Sequence, residues 1–111
     1  MTQDAAKRKV LGLVGLGLRG RLAVVGVQQV RDAAKRGKLK IALVASDASQ
    51  NSLDKVESLL AARKVTIIRS FSGRELGEVA GRELVAGIGV SDAGLAQGIT
   101  HAIPRIQGGS A

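Results

Sequence analysis

Helical and extended hydrophobic patterns alternate along the chain. Apolar residues that recur every three or four positions predict helices, and short apolar or β-branched runs between them predict buried strands. The predicted helices cover about residues 5–19, 27–36, 52–64, 73–81 and 92–102. The predicted strands cover about residues 21–25, 40–46, 65–69 and 84–90. This alternation favours an α/β fold with helices on both faces of one sheet, an α/β/α sandwich.

Residues with capping chemistry mark several of these boundaries. Gly26 precedes the second helix, and Gly37 follows it as a stop signal. Asn51 is the predicted cap of the third helix, and Ser72 with Glu75 matches a capping box at the start of the fourth. Each of these boundaries therefore has a local chemical reason beside the hydrophobic pattern.

The length and hydropathy of the chain predict one domain. Residues 1–111 have the size of a single domain, with a core at about 5–103 and a loose tail at 104–111. Arg19 and Arg21 interrupt the longest apolar stretch, which argues against a membrane span. No small-residue cleavage site follows the basic N-terminal segment, so we expect a cytoplasmic protein.

Positive charge is concentrated in the first third of the chain. The formal net charge is +8 at pH 7. Residues 1–40 hold ten Lys and Arg and two acids, whereas residues 41–111 hold seven of each sign. Such an asymmetry indicates a polyanionic partner, with a basic surface that has no specific partner as the alternative.

Residue usage excludes several kinds of site. The chain has no cysteine, which rules out disulfides, thiolate metal sites and cysteine nucleophiles. His101 is the only histidine, and its position near a helix end favours a surface role. Phe71 is the only aromatic residue, so a platform that stacks single-stranded bases is disfavoured. We expect no metal and no cofactor, and a nucleic acid would be bound through its backbone and shape.

Gly15, Gly17 and Gly20 form the pattern G-x-G-x-x-G of dinucleotide-binding loops. The apolar run before them could be a strand, but Asp47 lies 27 residues after Gly20, which is too far for the usual ribose ligand. The alternative is a helix weakened by glycines that permit close packing. A small nucleotide-binding enzyme that uses residues 15–20 stays open as the less favoured function.

Polar residues follow two of the predicted strands, at 47–52 and at 91–94. The ends of strands carry catalytic residues in many α/β proteins, but Asp, Ser and Asn are also ordinary turn and capping residues. Because no base partner is visible near either segment, we interpret both as turns that lead into helix caps.

The start of the second helix is the favoured binding site. A helix that opens at a glycine leaves backbone N–H groups for an anion, and the helix dipole favours negative charge there. Gln28 and Gln29 add amides that donate and accept hydrogen bonds with base edges. Arg31, Lys35 and Arg36 add positive charge along the same helix. A solvated amphipathic helix is the alternative interpretation.

Seven short segments are informative as an ordered set. They span about residues 10–99 and are Leu11–Leu13, Gly26–Val30, Lys35–Lys38, Leu43–Ser49, Arg74–Gly77, Ala80–Arg82 and Val90–Ala96. In this order they resemble the ribosomal kink-turn RNA-binding family, which includes archaeal and eukaryotic large-subunit ribosomal proteins and bacterial YlxQ-type proteins. The bacterial branch is the more similar. Each segment alone is weak, and the ordered combination carries the resemblance.

The resemblance implies a non-enzymatic RNA-binding protein with a four-stranded mixed sheet. A kink-turn is an internal bend flanked by sheared G·A pairs, and in the family the start of the second helix enters the groove at those pairs. That role carries over to Gly26, Val27, Gln28 and Gln29. The loop before the Leu-Gly motif would supply a second contact through Ser70, Phe71 and Ser72. A core position for Phe71 is equally compatible with the sequence.

The expected partner is structured RNA, for example ribosomal RNA, bound by a monomer without membrane or metal. Phosphate contacts set affinity and salt sensitivity, whereas base contacts set specificity. We assign the phosphate contacts to basic residues of the first third of the chain, namely Lys7, Arg8, Lys9, Arg19, Arg21, Lys35, Arg36 and Lys38, and count Arg31 among the other RNA-binding residues.

Three positions depart from the strongest RNA binders of that family. Gln28 and Gln29 stand where those proteins carry Asn and Glu, and Asp32 stands where they carry Lys. A glutamine lacks the charge-assisted hydrogen bond of a carboxylate, and Asp32 adds a negative charge. Arg31 compensates that charge from the adjacent position. A protein-interaction module on the same fold, with weak and non-specific RNA binding, is therefore the alternative function.

Overall fold

The computed structural model describes the backbone of residues 3–106 and the side chains of residues 4–49, 53–54 and 56–103. Within that range the chain forms helices and strands in strict alternation, which confirms the predicted α/β class. The helices are α1 (Gln3–Arg19), α2 (Val27–Lys35), α3 (Gln50–Ala62), α4 (Gly73–Ala80) and α5 (Ala93–Ile106). The strands are β1 (Ala23–Val25), β2 (Ile41–Val44), β3 (Thr66–Ile68) and β4 (Gly87–Val90).

Several boundaries differ from the sequence prediction. Helix α3 begins at Gln50, so the prediction of Asn51 as its cap is wrong, and the Leu53 N–H bonds instead to the carbonyl of Ser49. Helix α5 continues to Ile106, because Ile99 and Ala102 are buried and hold its preceding turns on the core. The rest of the predicted loose tail, residues 107–111, lies outside the described residues. No helix within the described range is both long and apolar enough to cross a membrane.

The four strands form one mixed sheet in the order β1-β4-β2-β3. Strand β4 is antiparallel to both of its neighbours, and β2 pairs with β3 in parallel. The C-terminal ends of β1, β2 and β3 and the start of β4 therefore lie at one end of the sheet, called here the Gly26 end. Helix α2 ends and β2 begins at the opposite end, called here the Lys38 end. The predicted mixed sheet is confirmed.

Two hydrophobic cores cover the two faces of the sheet. Helices α1, α4 and α5 pack on one face through a core that includes Val10, Phe71 and Ile99. Helices α2 and α3 pack on the other face through Val30 and Leu60 among others. Side chains of β2 alternate between the two cores, so its continuous apolar run is buried on both sides, as a central strand requires.

The glycines of α1 serve helix packing. Gly15 and Gly17 lie within the helix, where a Cβ would come 3.3 Å from Val79 and 3.2 Å from Leu95 respectively. A dinucleotide-binding fingerprint needs a glycine-rich turn between a strand and a helix. Residues 15–20 provide no such turn here, so the interpretation of this motif as a dinucleotide loop is wrong and the close-packing interpretation holds.

The capping box predicted at α4 is present. The Ser72 hydroxyl accepts from the Glu75 N–H at 3.1 Å, and the Glu75 carboxylate accepts from the Ser72 N–H at 2.9 Å. The helix ends at Gly81 in the left-handed conformation, with φ 72°. The chain then folds back so closely that a Cβ on Gly77 would lie 2.7 Å from the carbonyl oxygens of Arg82 and Glu83.

Gly77→Ala tests this close approach. We expect the substitution to lower the free energy of unfolding by about 1–3 kcal/mol, since the backbone of residues 82–83 must move. Gly12→Ala is the matched control, because a Cβ at that exposed helical position meets nothing within 4 Å. The control should raise the free energy of unfolding by up to ~1 kcal/mol. Urea denaturation measures both, and effects of the same sign would contradict the packing described.

Candidate nucleic-acid interface

Helix α2 begins directly after the edge strand β1, through a single glycine. Gly26 has φ 100° and ψ 146°, a backbone conformation that residues with a Cβ rarely adopt. Its N–H donates to the carbonyl oxygen of Gly87 at 2.8 Å, and no side chain caps the helix at this residue. The first turn therefore presents backbone N–H groups and the positive end of the helix dipole at the surface.

The two glutamines of the first turn are both exposed but have different surroundings. The Gln28 amide nitrogen donates to the Asp32 carboxylate at 3.0 Å, one helical turn later. Because the carboxylate can only accept, this bond directs the Gln28 amide oxygen away from Asp32, as a free acceptor. Gln29 lines a groove beside the helix, together with Asp32.

This groove, called here the α2 groove, runs along one flank of the helix over β1 and β4. Its volume is about 340 Å³. Its cationic residues are Arg21, Arg36 and Lys38, all exposed. The full lining is Arg21, Ala23, Val24, Gln29, Asp32, Ala33, Arg36, Lys38, Leu39, Gly89 and Ser91.

Arg31 and Lys35 lie outside the α2 groove, on a different side of the helix. Lys35 is exposed, whereas Arg31 is half-buried, and its Nε atom is buried with no hydrogen-bond partner among the described residues. The basic residues that the sequence places on one helix are thus divided between two surfaces.

The predicted RNA-contacting residues also separate along the sheet. Gly26 and the two glutamines lie at the Gly26 end, while Arg36 and Lys38 lie at the Lys38 end. The nine residues of α2 separate the two groups by about 14 Å at 1.5 Å per residue. Arg19 and Arg21, at the end of α1, also lie at the Lys38 end and are exposed.

The loop between β3 and α4 is tied into the core. Phe71 is 1% exposed, its carbonyl oxygen accepts from the Ser46 N–H at 2.9 Å, and the Lys7 ammonium lies 5.6 Å from its ring centre. The sequence left open whether Phe71 contacts RNA from the loop or lies in the core. The structure places it in the core, so its ring presents no surface to RNA. Ser72 caps α4, and Ser70 is half-buried.

Polar residues after the strands act as caps and turns. The Asp47 carboxylate accepts from the Gly73 N–H at 2.8 Å, and the Asp92 carboxylate accepts from the Leu95 N–H at 2.8 Å. The Asp92 bond agrees with the capping interpretation made from the sequence, whereas Asp47 bonds the first residue of α4 and not the helix α3 that follows it. Within the part of the chain that the structure describes, no three His, Asp or Glu side chains are grouped to hold a metal ion, and His101 is exposed on α5.

A further loop reaches the Gly26 end that the sequence analysis did not include. Residues 81–86 connect α4 to β4, and the bond from Gly26 to Gly87 places this loop beside the start of α2. Leu84 is 67% exposed there, and Arg82 is exposed as well. The sequence pattern assigned residues 84–86 to a strand, which hid the loop. The glycine stop at Gly81 followed by two charged residues was the available signal.

Glu75 is an ionisable group whose titration the fold clearly changes. Partial burial raises the pKa of its carboxyl, but the Ser72 N–H and the Lys7 ammonium at 3.1 Å outweigh that effect. The net result is a pKa below the usual 4.5. Lys7 is therefore held between Glu75 and the Phe71 ring, whereas Arg8 and Lys9 are exposed on α1.

Residues 8–100 match the model of the ribosomal protein L7Ae/L30e/S12e/Gadd45 family. The chain belongs to this family. The match covers all of the sheet and both surfaces beside α2, so the α2 start and the α2 groove are parts of an L7Ae-family domain.

Individual relatives agree with this assignment. The RNA-binding protein YlxQ of Enterococcus faecium is 29% identical over 94 residues, which are 85% of this chain and 90% of that protein. A solved structure of a Bacillus halodurans protein of unknown function superposes with a TM-score of 0.79 at 27% identity, covering 86% of this chain and 96% of that one. The Giardia lamblia 15.5kD RNA binding protein superposes with a TM-score of 0.69 over 94% of this chain and 89% of its own. At 16% identity this last match shows the fold.

Glu75→Gln tests the contacts that hold the β3–α4 loop. Because the folded-state pKa of Glu75 is lowered, its ionic contribution to stability is present above the unfolded pKa and is lost as pH falls through the folded pKa. We expect the stability difference between wild type and variant to be largest above about pH 5 and to shrink below the usual pKa of 4.5. Urea denaturation across pH measures it. Glu78→Gln, an exposed position on the same helix, is the control, and a pH-independent difference would contradict the assignment.

Proposed function

We propose that this protein is a non-enzymatic, cytoplasmic RNA-binding protein that recognises kink-turn-like structured RNA and acts on or near the ribosome. The observation that carries the proposal is the uncapped glycine start of α2, with two exposed glutamines beside it and basic residues along the helix. Membership of the L7Ae family and the RNA-binding name of the Enterococcus relative support it.

The Gly26 end supplies the base and shape contacts in this proposal. The open N–H groups of the first turn suit a phosphate or a base acceptor. The free amide oxygen of Gln28 accepts from a base edge, and Gln29 both donates and accepts. Leu84, exposed on the adjoining loop, offers an apolar contact to an unstacked base or sugar. Residues Ser70 and Ser72 contribute by holding that end of the fold in shape.

The basic residues supply the phosphate contacts. Lys35 carries positive charge on one side of α2 and Arg36 carries it in the α2 groove. Lys38, Arg19 and Arg21 extend the positive charge at the Lys38 end. Lys7, in contrast, is held by Glu75 and contributes less free charge to RNA. An RNA that follows this surface passes from shape-specific contacts to contacts with its backbone alone.

A protein-interaction module is the second candidate. It is favoured by the exposed apolar side chains of Leu16, Leu22 and Leu84, which are 53%, 40% and 67% exposed. Asp32 also adds negative charge to a surface that otherwise suits RNA. Weak RNA binding that does not distinguish one structure from another would favour this candidate.

A titration against a kink-turn RNA and a matched straight duplex at two salt concentrations tests the main proposal. We expect tighter binding to the kink-turn, with a preference that survives the higher salt, because base and shape contacts depend on salt less than phosphate contacts do. Equal binding to both RNAs that salt abolishes would contradict it and leave an electrostatic surface.

Gln29→Ala separates specificity from affinity. The variant should lose about 1–3 kcal/mol of binding free energy on the kink-turn and much less on the duplex, if Gln29 contacts a base edge. Gln97→Ala, an exposed glutamine on α5, is the matched control and should change neither affinity. Equal losses of binding free energy on the two RNAs would show that Gln29 contacts no base edge.

Lys35→Ala tests the electrostatic part. Its loss should weaken both RNAs alike and reduce the slope of log affinity against log salt by about one unit. Arg63→Ala, a basic residue beyond the end of α3 at the Lys38 end, is the control for net charge. A change in slope as large with Arg63→Ala would show that net charge alone controls binding.

A further inference from the structure

The α2 groove changes in chemistry from its floor to its rim. Leu39 and Gly89 are buried, and Val24 and Ala33 are half-buried, so the inner lining is apolar. Leu39 reaches over β4 because Gly89 has no side chain, since a Cβ there would lie 2.8 Å from the Leu39 side chain. The floor is therefore an apolar surface that lacks aromatic rings.

The walls and rim are polar and mostly cationic. Asp32 is half-buried, with one lone pair occupied by the Gln28 amide at 3.0 Å. Ser91 is half-buried and donates its hydroxyl to the Leu22 carbonyl at 2.9 Å, which leaves it as an acceptor. Arg21, Arg36 and Lys38 are exposed around the opening and bring three positive charges to one carboxylate.

The mixture of charges points to a ligand with two kinds of surface. An inorganic anion would have no use for the apolar floor and would be repelled by Asp32, and an apolar ligand would leave the cations unused. A nucleotide has a flat base, a hydrogen-bonding edge and a phosphate. The volume of about 340 Å³ is at the lower end of the range of small-molecule sites, as a single nucleotide requires.

Asp32 determines which base fits. A carboxylate accepts hydrogen bonds and donates none, so it pairs best with a base edge that has adjacent donors. Guanine presents N1–H and the N2 amino group side by side. Adenine and cytosine present one amino group next to a ring acceptor, and uracil presents one N–H between two acceptors. The remaining lone pairs of Asp32 thus match guanine.

We propose that the α2 groove binds a single guanine nucleotide, with its base on the apolar floor against Asp32 and its phosphate between Arg36 and Lys38. The inference deepens the proposed function and rests on it for the source of the ligand, which would be an unpaired guanosine of the bound RNA. A free guanine mononucleotide has the same chemistry. In both cases Asp32, Arg36 and Lys38 add contacts beyond those of the Gly26 end, and Gln29 lines the groove between the two.

Titration of the full chain with guanosine monophosphate, monitored by backbone amide NMR, tests the site. We expect saturable shifts at Ala33, Leu39 and Gly89, with affinity about tenfold higher than for adenosine monophosphate, as a matched base contact provides. No saturable shift at millimolar nucleotide would overturn the proposal. Shifts that inorganic phosphate alone reproduces would also overturn it, since the groove would then bind anions without a base.

Two variants test the roles of the groove residues. Ala33→Leu fills the groove and should abolish the shifts, whereas Ala61→Leu, an exposed alanine on α3, should leave them unchanged. Asp32→Asn keeps an oxygen for Gln28 but turns an acceptor into an amide donor. It should weaken guanosine monophosphate and strengthen xanthosine monophosphate, which carries an acceptor at position 2. A merely structural role of Asp32 would weaken both nucleotides, and that result would overturn the assignment of the base contact.

A comparison of oligonucleotides identifies the source of the ligand. The trinucleotide UGU should produce the groove shifts and UUU should not. Tighter binding of UGU than of the free mononucleotide assigns the groove to RNA, and equal binding assigns it to a free nucleotide; both results support a guanine site. If the protein prefers the kink-turn RNA but does not bind guanine, the groove proposal is overturned and the proposed function stands. If the protein binds guanine but does not prefer the kink-turn RNA, the groove proposal stands and the proposed RNA function is overturned.

Discussion

Antiparallel pairing of β4 with both β1 and β2 is the constraint on which the rest of the molecule depends. The strand that comes last in the chain lies between strands that come first and second, so its start meets the end of β1. There the Gly26 N–H donates to the Gly87 carbonyl at 2.8 Å, which sets where α2 begins. The same pairing brings the loop of residues 81–86 beside that helix start. A surface composed of two distant segments of the chain thus results from one strand pairing.

Two glycines of β4 allow a neighbouring side chain to pack directly over this central strand. Gly87 and Gly89 lower the intrinsic preference of β4 for the extended conformation, because glycine has no side chain to pack and loses more conformational freedom. In return, Leu39 packs directly over Gly89 on the α2 side of the sheet. The resulting apolar floor lies between the side chains of α2 and the edge strand β1 that line the groove. Gly89 therefore both leaves room for the apolar floor of the groove and lowers the intrinsic strand preference of β4.

Helix α2 separates two kinds of chemistry along its length. Its start offers backbone donors and amides at the Gly26 end, while its final turn and the residues after it bring charge to the Lys38 end. Asp32 lies between them, bonded to Gln28 on one side and lining the groove on the other. A lysine at this position would have made the helix uniformly cationic. The carboxylate instead divides it into surfaces that suit different groups of one polyanion.

Residues in and beside the β3–α4 loop whose chemistry would also suit RNA recognition make contacts within the fold. Ser72 and Glu75 satisfy the backbone of α4, and Lys7 joins Glu75 to the face of the buried Phe71 ring. These contacts connect the first turns of α1 to the loop and to the core below it. Hydrogen bonds and burial thereby account for most of what this loop does, and its influence on a bound RNA would be exerted through the shape of the Gly26 end.

Local chemistry determined the elements, their order and several caps, because hydrophobic period, glycine stops and the Ser72–Glu75 box act over a few residues. The sequence also predicted the glycine start of α2 and the excess of charge in residues 1–40. Only the tertiary structure decided that Phe71 is buried, that Arg36 lines a groove while Lys35 does not, and that the loop of residues 81–86 ends beside Gly26. Those outcomes depend on which strand lies between which others and on how one helix is rotated over the sheet. Pairing and packing between residues far apart in sequence decide both, and no local pattern encodes them.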